Sequence, residues 1–86
     1  MSDLDILYFA WVREAIGHDG ERIARPVSGT TVRDVIAGLC KLSEGHARAL
    51  ADLERLRAAL DQTFVPLDAV IGDARELALF PPVTGG

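Results

Sequence analysis

The chain has 86 residues, a formal net charge of −4 and 49% hydrophobic residues, enough for one small domain with a modest core. An acidic balance argues against nucleic acid or anionic lipid as partner, because both reward clustered Lys and Arg, and suits a protein with a basic docking face. A single cysteine, Cys40, excludes an internal disulfide; an acidic start at Met1–Asp5 and the lack of a long apolar run lead us to expect a cytoplasmic protein with no membrane span.

Leu4 to Val12 is rich in aliphatic, aromatic and β-branched residues and reads as a strand. Arg13 to Gly17 follows as a short helical turn stopped by glycine. His18-Asp19-Gly20 is turn chemistry, and Glu21 to Val27 alternates as a second strand, with Pro26 restricted to an edge or an end. The two strands suggest an antiparallel hairpin.

Thr31 opens the clearest element. Thr31 and Asp34 are spaced as a capping box, and Val32, Val35, Ile36, Leu39 and Cys40 then mark one apolar helix face. Gly45 is the expected stop, and His46 to Leu53 a second short helix with Ala47, Leu50 and Leu53 turned inward. Short strands are expected at Arg55–Leu60, Phe64–Val65 and Glu76–Phe80, separated by turn signals at Pro66-Leu67-Asp68 and Gly72-Asp73. The order predicts an α+β domain, a mixed sheet packed on one main helix, over residues 1–80.

Residues 81–86 form the tail, Pro81-Pro82-Val83-Thr84-Gly85-Gly86. Two prolines favour extended geometry, so the chain should leave the last strand stiffly and reach roughly 20 Å beyond Phe80. The glycines lack Cβ atoms and are thin enough to thread a narrow channel, with a carboxylate at the tip. A carboxylate is a poor electrophile. As a mixed anhydride with AMP its carbonyl carbon can accept sulfur, giving a thiocarboxylate nucleophile. The bland alternative is a solvated, inert end.

These residues resemble the ubiquitin-like sulfur-carrier family, in its molybdopterin synthase small-subunit (MoaD-type) branch. The resemblance spans the chain through Phe9-Ala10 with Val12-Arg13-Glu14, through Ala59 to Val65, and above all through Phe80 to Gly86. It implies a β-grasp fold and a non-catalytic sulfur-donor role in molybdenum cofactor synthesis. Gly86 would be adenylated by an ATP-using, E1-like activating enzyme and thiolated. It would then be inserted, through Pro81, Pro82, Val83, Thr84 and Gly85, into the large subunit of a two-plus-two assembly. No bound cofactor is implied. Alternatives of the same design are a carrier for another pathway, such as thiamine thiazole synthesis, or a ubiquitin-like protein modifier. Two departures stand out: Asp61 where the family often has Asn, and no glycine within Asp73-Ala74-Arg75-Glu76.

Strand parity adds a docking surface. Leu4, Ile6 and Tyr8 share one face of the first strand, while Asp5, Leu7 and Phe9 share the other. In the last strand Leu77 and Leu79 alternate with Glu76, Ala78 and Phe80. The face of Asp5 and Glu76 should be solvated, which exposes Phe9 and Phe80; with Phe64 they would form an apolar partner site, with Arg13 as an ionic contact beside it. His18 and His46 lie far apart in sequence without metal-ligand spacing, so no metal site is expected, and Cys40 is expected to be a small buried hydrophobe.

Overall fold

The computed structural model describes residues 3–82. Strand β1 covers Asp3–Tyr8 and buries Leu4, Ile6 and Tyr8 on one face, as the parity predicts. It is shorter than the sequence suggests. Ala10 adopts φ 54, a left-handed value that turns the chain out of the sheet, and Ala10–Ile16 forms helix α1. Gly17, at φ 101, ends that helix with its N–H donated to the Arg13 carbonyl.

Strand β2, Gly20–Ala24, runs antiparallel to β1, with Ile6 opposite Glu21 and Leu4 opposite Ile23. Because α1 sits between them, the two strands pair without a tight turn. β2 ends before Arg25, and Pro26 and Val27 lie beyond it.

Helix α2 covers Val32–Leu39, and both arms of the Thr31–Asp34 capping box close at 3.1 Å. Val32, Val35, Ile36 and Leu39 are buried, while Cys40 is half-buried at the C-cap. The stop expected at Gly45 is replaced by an earlier one. α2 ends at Leu39, and Gly45 lies inside helix α3, Glu44–Ala49, capped by the Ser43 hydroxyl accepting from the His46 N–H. Gly45 is needed for proximity, since a Cβ there would lie 2.8 Å from the Ala15 carbonyl of α1. Starting α3 at Glu44 rotates its inward set: His46, Ala49 and Leu50 are buried, and Ala47 and Leu53 only half-buried.

A 3-10 turn over Leu53–Arg55 delays the next strand to β3, Arg57–Leu60. β4 is Thr63–Val65 and β5 is Glu76–Phe80. Asp61 and Gln62, between β3 and β4, have φ 49 and 70, the signature of a two-residue type I′ hairpin turn. Asp61 Oδ1 accepts from the Arg75 and Glu76 N–H groups at 2.9 and 3.0 Å. That position needs only an acceptor, which a carboxylate supplies as well as an amide. The positive φ before β5 falls on Gly72, at 58, and not within Asp73–Glu76.

The strands form one sheet in the order β2-β1-β5-β3-β4, with β1 and β5 parallel and every other pair antiparallel. One core joins Leu4, Ile6, Tyr8, Leu77 and Leu79 from the sheet to Val32, Val35, Ile36 and Leu39 of α2. A mixed sheet covered on one face by a crossing helix is the β-grasp architecture.

Candidate functional site

The opposite face of the sheet carries an open apolar groove. It is lined by Leu7, Phe9, Ala59, Gln62, Phe64, Glu76, Ala78 and Phe80, drawn from strands β1, β3, β4 and β5, the β3–β4 turn and the residue that caps α1. Its existence follows from alternation: each strand that sends Leu or Ile into the core must send its neighbours to this side. Phe9 is 45% and Phe64 72% exposed, while Phe80 is half-buried, its ring centroid 5.2 Å from that of Phe64. Phenylalanine exposed to this degree and clustered in one groove makes an apolar patch of the kind partner-binding surfaces carry.

The sequence brings Phe9, Phe64 and Phe80 to this face, and the structure gathers all three in the groove. Leu7 and Ala78 share their parity. Ala59 and Gln62 could not be placed from sequence, because their position depends on how β3 pairs with β5. Arg13 is exposed on α1 and does not line the groove; it borders a shallow depression with Glu14, Gly17, His18 and Asp19. Trp11 is half-buried against the core, with the Arg55 guanidinium 5.4 Å from its ring. The Cys40 thiol lies 3.9 Å from the Leu50 carbonyl and is only half-buried.

β5 ends at Phe80, on the wall of the groove, and Pro81 and Pro82 continue from it. The chain therefore leaves the sheet at the apolar face. Val83, Thr84, Gly85 and Gly86 lie outside the described residues.

A second constellation, on the helix-covered side, brings together two histidines that lie far apart in sequence. His18 from the turn before β2, Glu21 from β2 and His46 from α3 converge, their ligand atoms all within 4.8 Å of one another. Glu21 Oε2 accepts from the Tyr8 hydroxyl at 2.6 Å and lies 2.6 Å from His46 Nε2 and 3.3 Å from His18 Nε2. Ser43 Oγ is hydrogen-bonded to the other ring nitrogen of His46 at 2.7 Å. Burial pushes the Tyr8 phenol far above its ordinary range, helped by its hydrogen bond to the Glu21 carboxylate. Burial also pulls the Glu21 carboxyl upward. Hydrogen bonds from Tyr8 and His46, with the charges of His46 and His18, outweigh that and hold it below the usual carboxylate value. No sequence spacing signals this cluster, since 28 residues separate its two histidines.

Against known proteins, a family model described as the ThiS family matches residues 6–86. The chain belongs to the ThiS family. Among ThiS-family relatives, it is 40% identical over 83 residues to the molybdopterin synthase sulfur carrier subunit of Escherichia coli, covering 96% of this chain and 99% of that one. It is 36% identical over 85 residues to the protein of the same name from Haemophilus influenzae, again over 96% and 99%. Among solved structures, it resembles the putative molybdopterin converting factor, subunit 1, of Pyrococcus furiosus. The TM-score is 0.71 and the identity 26%, over 96% of this chain and all of that one. Membership in the ThiS family and the ubiquitin-like β-grasp fold are thus consistent from sequence to topology.

Proposed function

We propose that this chain is the sulfur carrier subunit of a molybdopterin synthase, with the C-terminal acyl carbon of Gly86 as the atom that carries the sulfur. One observation carries the reading: β5 delivers the chain out of an exposed phenylalanine groove directly into Pro81-Pro82 and a sequence ending in Gly85-Gly86. The near full-length similarity to bacterial sulfur carrier subunits supports it.

The chemistry needs three steps. The Gly86 carboxylate attacks the α-phosphorus of ATP on an E1-like activating enzyme; the acyl adenylate forms and pyrophosphate leaves. A sulfide-level sulfur then attacks the acyl carbon, the C–O bond to AMP breaks, and AMP departs to leave a thiocarboxylate. That sulfur, softer and more nucleophilic than the oxygen it replaced, is presented to the pterin precursor in the large subunit. The folded body contributes no catalytic side chain. Its role is affinity and aim, through Phe9, Phe64 and Phe80.

Under this reading the groove docks first on the activator and then on the large subunit, with two carriers and two large subunits in the assembly, in the cytoplasm. Among the described residues, no helix is long and apolar enough to cross a membrane. The deciding experiment is intact mass spectrometry after incubation with an activating enzyme, ATP and a sulfur source. A species in which one oxygen is exchanged for sulfur, localised to Gly86 by fragmentation, is expected. Its absence with an activator proven on another carrier defeats the proposal.

A further inference from the structure

We propose that His18, Glu21 and His46 form a binding site for one divalent transition cation of the zinc type, clamping the turn before β2 to helix α3. Three features of the cluster go beyond an ordinary hydrogen-bonded trio.

The donor set is the first. Two imidazole nitrogens and one carboxylate oxygen, leaving a position open to solvent, suit zinc well. His18 Nε2 and Glu21 Oε2 are already 3.3 Å apart, close to the spacing of about 3.3 Å that neighbouring ligands take around a tetrahedral zinc. The side chain of His18 is 47% exposed, so it can swing inward and also provides the entry path.

The supports around the donors are the second. A zinc-bound histidine usually donates its other ring N–H to an oxygen that fixes its orientation. Ser43 Oγ stands 2.7 Å from His46 Nδ1 and can accept that proton, leaving Nε2 free for the metal. When the ion enters, the 2.6 Å link between His46 Nε2 and Glu21 gives way to two metal–ligand bonds, and the ring proton resides on Nδ1. The Tyr8 hydroxyl meanwhile holds the carboxylate in place.

The placement is the third. Glu21 sits opposite Ile6 in the β1–β2 ladder, so its side chain belongs to the helix-covered face, away from the phenylalanine groove. The ion would add a coordination bridge between the turn before β2 and helix α3, and this assignment stands apart from the sulfur chemistry of the tail.

The test uses the full, tag-free chain stripped with a chelator and titrated with Zn²⁺ against a chromophoric competitor. One Zn²⁺ per chain is expected, with a rise in thermal midpoint at saturation. At one equivalent, the imidazole NMR signals of both His18 and His46 should shift. Because His46 is buried, the decisive variant is the exposed His18→Ala, expected to weaken binding about tenfold or more and to shrink the midpoint rise at the same Zn²⁺ concentration. Cys40→Ser should bind as the parent does. A parent that holds no zinc, a His18→Ala that binds as tightly, or a Cys40→Ser that loses the ion would each overturn the assignment.

Discussion

Ala10 shows how one residue can redirect a strand. Its φ of 54 is a conformation that disfavours a Cβ by about 1–2 kcal/mol, while glycine gains unfolded-state entropy that offsets about 0.4–1 kcal/mol. Ala10→Gly should therefore raise stability by roughly 0.5–1 kcal/mol in urea denaturation, since the side chain is exposed and makes little packing contact. Glu21 makes a prediction in pH. Its folded value lies below the ordinary 4.5, so its contribution is complete above that value and is lost as pH falls through the folded one. With chelator present, the urea midpoint of the parent should fall on acidification below pH 4.5, and Glu21→Gln should flatten that fall. Tyr8 works in the opposite sense: its phenol is kept neutral by folding, so stability should decline as pH rises past the ordinary value of 10.0.

Among the elements, helix α3 depends on its glycine for contact and not for turning. A methyl on Gly45 would meet the Ala15 carbonyl at 2.8 Å, and Gly45→Ala should destabilise the domain by about 1–3 kcal/mol despite improving helix propensity. Strand β4 makes the contrasting case. Phe64 is 72% exposed, so Phe64→Ala should leave the melting curve nearly unchanged while weakening capture of the activating enzyme or large subunit about tenfold or more by calorimetry. The sequence made much of this visible. The cap at Thr31 and Asp34, the α2 stripe, β5 and the alternation that exposes the phenylalanines all rest on local periodicity. What it hid rests on contacts between distant segments: the turn at Ala10, the phase of α3 set by Ser43, and the meeting of His18 with His46. The Gly45 stop misled because glycine also serves close approach, here to the Ala15 carbonyl.

For the molecule as a whole, the proposed function divides the labour between a body that recognises and a tail that reacts. Appending one residue after Gly86 should abolish thiocarboxylate formation while leaving the circular dichroism spectrum and thermal midpoint unchanged, because core and groove are built from residues up to Phe80. The body should still compete for the activating enzyme, turning the carrier into an inhibitor of its own pathway.

The position of β5 has a mechanical meaning. It lies in the middle of the sheet, laddered to β1 on one side and β3 on the other, up to Leu79 and Phe80. Tension applied through Pro81 is therefore shared by two rows of backbone hydrogen bonds loaded in shear, and is not concentrated on an outer strand that could peel. Under the proposed function, withdrawal of the tail from a partner's channel would load both ladders together, and the fold should survive repeated cycles.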